Sequence, residues 1–213
     1  MVIEERPKLH IVSTHPWIRT LRLSALVLGA FDNLITAIQF TNARVQEGRP
    51  WQEVEFVLQW IDPIMHRILG IEAEVISPGN ESRIINEACR LGIFLFLAEV
   101  RRKCSIQGVS SPLYVSKLRR LIEQRQESVN WDRLSYLLLW ILFFGFLESR
   151  EDEDIDWYAK TICEVTGESG VESWHRVMAA AKRFLWFNDV FESHGERLRG
   201  VLVSRSVNAL FLK

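Results

Sequence analysis

The sequence predicts an all-α fold: a single multi-helix bundle of about eight helices with two central apolar ones. Three observations predict it. No segment of the 213 residues alternates apolar and polar positions as a half-buried strand does. Apolar residues recur instead at helical spacing in one segment after another. Six Pro and eleven Gly are few, and they punctuate the chain briefly at helical intervals, with no repeat, low-complexity tract or long linker. The length suits one helical domain over 1–213.

Each element has its own justification. His15-Pro16 places proline where a first helical turn tolerates it, with Thr14 or His15 as cap. Apolar positions then run from Trp17 through Leu21, Ala25 and Leu28 toward Ile35 and Ile38, until Gly48 and Pro50 break the run. In WQEVEFVLQWIDPIMHRIL, the residues Val54, Val57, Leu58 and Ile61 share one stripe, and Asp62-Pro63 kinks or restarts the helix. Ser77-Pro78-Gly79-Asn80 forms a loop and cap before a helix over 84–103.

Gly108 to Pro112 is the next break, and Ser111 caps LYVSKLRRLIEQRQ. There Tyr114, Leu118, Leu121 and Ile122 face inward, while Arg119, Arg120, Glu123 and Arg125 face out. Asn130 and Asp132 open an apolar helix from Trp131 to Leu147. Asp154 and Asp156 sit at the start of the next helix, which Gly167 ends. Ser169-Gly-Val-Glu172 has capping-box spacing, and Trp174, Val177, Met178, Ala181, Phe184 and Leu185 follow as one stripe. The helices at 84–103 and 131–147 are apolar nearly all round, which places them in the middle of the bundle.

Composition narrows the function classes. Hydrophobic residues at 48% and charged residues at 25% exclude disorder as the default. Eight Trp and twelve Phe allow a large, well-fixed core. The block LSYLLLWILFFGFLE spans 134–148, shorter than the roughly 18–20 residues of a membrane span, and reads as a helix buried in protein. The start, MVIEERPKLHIV, lacks the pattern of a secretory signal. A formal net charge of −1 shows none of the basic excess expected of a phosphate-binding domain. Cys89, Cys104 and Cys163 have no CxxC spacing, which argues against a disulfide framework or a zinc site and fits a reducing compartment.

Catalytic patterns do not emerge. His10, His15, His66, His175 and His194 are scattered, with no i, i+4 pair, and no GxSxG, P-loop or GxGxxG occurs. The reading is non-enzymatic, with no cofactor. The run from Glu148 to Asp156 is dense in carboxylates and open to a cation or a basic partner. A solvated connection favouring the next helix N-terminus accounts for it. Arg101-Arg102-Lys103, and Lys117 with Arg119 and Arg120, suggest a phosphate patch or a nuclear-import signal. For 101–103, bases meeting a helix C-terminus are explanation enough. Trp60, Trp140, Trp174 and Trp186 belong to the core, or line a site for a small apolar ligand between helices.

Three stretches carry a resemblance. Asn86-Glu87-Ala88-Cys89-Arg90-Leu91-Gly92, followed by Phe96-Leu97-Ala98-Glu99-Val100-Arg101-Arg102, resembles the "NEACRLG…LAEIRR" stretch of the fungal-specific transcription factor domain. Leu138-Leu139-Trp140-Ile141-Leu142-Phe143-Phe144-Gly145 resembles that family's "LLW.L..GG" helix, and Phe184-Leu185-Trp186-Phe187-Asn188-Asp189-Val190-Phe191 its closing "LWFDDVF" element. The match covers about residues 50–200 in the right order.

The resemblance implies the helical regulatory region of a fungal zinc-cluster regulator, nuclear (alternatively cytoplasmic), or of a short relative lacking the cluster. It would act through protein partners of the transcription machinery, a homodimer mate, or ligand sensing. A stand-alone adaptor or a small-molecule carrier are the alternatives. No six-cysteine zinc cluster occurs in the 213 residues, so no residue here inherits DNA contact, and zinc would enter only with a segment outside this chain. The matching residues Asn86, Glu87, Cys89, Arg90, Gly92, Glu99, Arg101, Trp140, Trp186 and Asp189 read as structural. Glu87 and Arg90, neighbours on one helix face, are expected to pair with each other or with adjacent helix ends.

Overall fold

The structure, a computed structural model, describes residues 23–46, 54–71, 81–104, 111–125, 129–187, 191 and 195–211. The predicted helix start at His15-Pro16 and the breaks at Gly48, Pro50, Ser77 to Asn80 and Gly108 lie outside the described residues, as does Asp189.

Eight helices, and no strand, occur among the described residues. Helix α1 is Ala25–Gln46. Helix α2 covers 54–70 in three parts: Val54–Phe56, a π-helical turn Val57–Ile61, and Asp62–Gly70. Helices α3 (Glu81–Lys103) and α4 (Pro112–Arg125) follow. A 3-10 turn, Trp131–Leu134, leads into α5 (Ser135–Glu148). The remainder is α6 (Asp152–Thr166), α7 (Gly170–Phe184) and α8 (Gly195–Phe211).

The all-α bundle and its two central helices are as the sequence predicts. Every residue of α5 from Leu137 to Glu148 is buried, and so is every residue of α3 from Ala88 to Val100. A helix buried on all sides needs neighbours on all sides. Helices α3 and α5 pack on each other; α1, α2 and α4 cover α3, while α4, α6 and α7 cover α5, and α8 lies on α6 and α7. Trp140 sits where four helices meet, its ring centroid 6.1 Å from Phe31, 5.9 Å from Phe96, 5.1 Å from Phe144 and 5.0 Å from Phe184. Its indole N–H donates to the Leu185 carbonyl at 3.0 Å, so the core absorbs this ring without stranding its polar atom.

Two glycines set how closely the central helices approach. A methyl group at Gly92 would stand 3.0 Å from both Trp140 and Ile141. At Gly145 it would stand 2.3 Å from the Tyr158 ring. Tyr158 uses that proximity to cross α5, and its hydroxyl donates to the Val115 carbonyl of α4 at 3.0 Å.

Three local expectations change. Val54 and Leu58 do not share the buried stripe of Val57 and Ile61; they are 56% and 58% exposed. A π turn bonds i to i+5 and holds more residues than an α turn. Ile61 therefore falls back beneath Val57, and the buried line continues through Ile64, Met65 and Ile68. Ser169 occupies the N-cap of α7 but makes no side-chain cap bond. The apolar helix opens as a 3-10 turn before becoming α-helical at Ser135. Gly167 ends α6 as expected, in the left-handed region at φ 66°.

Candidate functional site

The polar residues of α3 gather at its two ends, and each end joins other helices. At the N-terminal end, Asn86 Nδ2 donates to the Ser82 carbonyl at 2.7 Å, which fixes the side chain. Its Oδ1 accepts the Ser24 backbone N–H at 2.6 Å, just ahead of α1, where helix-start N–H groups lack internal partners. The Arg90 guanidinium meets Glu87 as a fork, Nε to Oε2 at 2.7 Å and Nη2 to Oε1 at 2.6 Å. Its remaining Nη1 donates to the Ile68 carbonyl in the last turn of α2 at 3.4 Å. The Glu87 bond raises the Arg90 pKa against the opposing effect of burial. Arg90 thus does what the sequence suggests: it pairs with Glu87 and holds a neighbouring helix end.

Between the ends the helix is core. Cys89 is fully buried, and burial pushes its thiol pKa far up, away from thiolate chemistry. Gly92 meets α5 as described.

The C-terminal end is more heavily charged. Arg101 Nη1 donates to Asp62 at the start of the last part of α2. Arg102 donates through Nη1 to Glu99 and through Nη2 to both oxygens of Glu148, at 2.8 and 2.7 Å. The Glu148 side chain is 0% exposed and that of Glu99 3%, while Arg102 is 37% exposed. Burial raises the Glu148 pKa, Arg102 and Ser111 oppose the rise, and Glu99 adds to it. Burial also disfavours the Arg102 charge, and its carboxylate partners more than restore it. Ser111, buried ahead of α4, stands by Glu148, yet its hydroxyl makes no hydrogen bond of good geometry. Cys104 follows α3, its thiol pushed up to about 11 by burial against the pull of Arg101.

Three sequence expectations are corrected here. The run from Glu148 to Asp156 is not merely a solvated connection. Glu148 is buried, Glu153 and Asp154 bind Arg119 at 2.8 and 3.0 Å, and Asp156 pairs with Arg205. Its other role holds: Asp152, Glu153 and Asp154 occupy the first turn of α6. Nor are Arg101 and Arg102 a solvated helix end. Both are committed to carboxylates on other helices. Arg119 is half-buried rather than outward, also meeting Glu123 at 3.0 Å and the face of Trp157 at 5.7 Å.

The four tryptophans do not line one site. Trp60 stacks on Phe40 between α2 and α1 at 5.1 Å. Trp174 donates to the Gly195 carbonyl at 2.8 Å. Trp140 is core, and Trp186 packs on Phe143 at 5.6 Å and Phe191 at 5.4 Å, its buried Nε1 unpartnered.

The sequence reading passed over Glu148 and Ser111 as members of one cluster with Arg102. Glu99 and Arg102 are three residues apart on one helix and readable as a pair, but Glu148 lies 46 residues from Arg102. Among the described residues, no group of three or more His, Cys, Asp or Glu could hold a metal, and no helix is long and apolar enough to cross a membrane. The arrangement can join helices and bind protons. No family model, no curated protein and no solved structure matches the chain.

Proposed function

We propose that the chain is the helical regulatory domain of a fungal zinc-cluster-type transcription factor. It acts in the nucleus, modulating transcription through protein contacts or ligand sensing, and does not itself touch DNA bases. The observation that carries this reading is the ordered set of three stretches, at 86–102, 138–145 and 184–191. Their packing supports taking them as one unit. Gly92 of the first lies against Trp140 of the second, Trp140 donates to the carbonyl of Leu185 in the third, and Trp186 packs on Phe143. The near-neutral charge agrees with a domain that meets proteins rather than phosphates.

A helical adaptor of the same descent, which binds protein partners without itself changing transcription, is the second reading, and the near-neutral charge agrees with it equally. A tethered-reporter assay separates the two. Fused to an unrelated DNA-binding domain, the chain is expected to change reporter transcription severalfold in either direction. Reporter output equal to that of the DNA-binding domain alone would sink the regulatory reading and leave the adaptor.

A further inference from the structure

Helix α2 is tied down in its last part and irregular ahead of it. Arg101 of α3 donates to Asp62, and Arg90 of α3 to the Ile68 carbonyl, so the part Asp62–Gly70 is held to α3 near both its ends. The π turn Val57–Ile61 stands directly before that held part, and the Asp62 backbone N–H bonds the Val57 carbonyl five residues back. Such a turn acts as an α-helix with one residue inserted. Counted back from Ile61 at α spacing, positions 58, 57 and 54 face the core. The insertion moves every side chain ahead of the turn on by one position. Phe56 takes the place due to Val57, Val57 takes the place due to Leu58, and Val54 and Leu58 turn to solvent.

We propose that α2 is a two-register helix in which Pro63 holds the π turn: without that proline the first part slips by one residue into an unbroken α-helix that buries Val54 and Leu58 and exposes Phe56.

Pro63 supplies the cause. It has no N–H for the Gln59 carbonyl, its partner in an α-helix, and its ring crowds that same carbonyl. Prolines inside helices usually kink or end them, so the residue alone does not specify a π turn. Here the chain beyond the proline is pinned to α3, and widening the turn before it relieves the crowding.

The two registers bury similar amounts. The present one lays the Phe56 ring on Phe187, with centroids 6.4 Å apart and the planes at 19°. The other sets the smaller Val57 in that place and adds Leu58 and Val54 to the covered face. One buried phenylalanine and a leucine with a valine are of the same order as driving forces. Regular α bonding then favours the second register, and Pro63 the first. The slip turns the first part by about 100° and moves it by about 1.5 Å along its axis. Register therefore decides whether α2 shows water an aliphatic pair or an aromatic ring.

Hydroxyl-radical footprinting of the whole chain, read residue by residue by mass spectrometry, tests this on native side chains. In the wild type Leu58 should be oxidised readily and Phe56 protected. In Pro63→Ala and Pro63→Gln, which both restore the N–H, Leu58 oxidation should fall severalfold and Phe56 oxidation should rise severalfold. Ile64 and Ile68, in the held part, should keep their protection. Any pattern in which Phe56 and Leu58 do not exchange would overturn the proposal, as would a wild type in which Phe56 is the oxidised residue. Failure of both variants to fold would overturn it too, because the second register is then not a packed state.

Discussion

At its N-terminal end α3 sets one carboxylate against one guanidinium; at its C-terminal end two carboxylates stand on one. Both ends bind neighbouring helices, and both use arginine forks. The difference lies in how deeply the carboxylate sits. Glu87 and Arg90 neutralise each other, and the spare Arg90 donor goes to the Ile68 carbonyl, where a helix end lacks partners. The Glu148 side chain is 0% exposed against 15% for Glu87, so its charge is the costlier one to hold. A balanced pair makes a joint indifferent to pH near neutrality. Burial raises the Glu148 pKa and so makes the other joint a function of pH.

Removing each guanidinium breaks the comparison most directly. Arg102→Ala takes the guanidinium from the buried Glu148 and is expected to lower stability by about 3–5 kcal/mol at neutral pH. Part of that loss should return on acidification, as Glu148 protonates. Urea unfolding at two pH values measures both effects. Arg90→Ala strands one partly buried carboxylate and frees one helix-end carbonyl, at a cost of about 3 kcal/mol. A loss below about 1 kcal/mol would class Glu87–Arg90 as an ordinary surface pair.

Glycine substitutions probe the frame around the two ends. Gly145 lies one turn before Glu148, and a methyl group there meets the Tyr158 ring at 2.3 Å. Gly145→Ala should cost about 1–3 kcal/mol through overpacking, with the Tyr158 near-ultraviolet signal altered. Gly92→Ala faces contacts of 3.0 Å and gains helix propensity of about 1 kcal/mol, so thermal melting should show the smaller loss. Smallest is Asn86→Ala, which removes the acceptor for the Ser24 N–H. It should cost about 1 kcal/mol and speed amide exchange at the start of α1 before anywhere else.

The bundle was legible because its signals are local. Spacing alone places Ala88 to Val100 and Leu137 to Leu147 at the centre, and Gly167 at the end of α6. The Glu87–Arg90 pair was legible for the same reason, being three residues apart on one face. Val54 and Leu58 were misplaced because a π turn changes the period within one helix, and no residue type announces it. The buried role of Glu148 was hidden by its neighbours. It opens a run of surface acids, and its partner is 46 residues away on another helix. Ser111 looked like a helix cap, and only tertiary packing turns it toward Glu148.

The polar ties of α3 also bear on how the chain folds. They reach Ser24, Ile68, Asp62 and Glu148, at sequence separations of 62, 22, 39 and 46 residues. Chain from both sides of the helix must therefore be in place before its ends close. Such long-range closure slows folding and makes the final docking of α3 a collective step. The corollary is mechanical: opening the C-terminal end releases segments from before and after the helix together, so that end has no quiet way to fray.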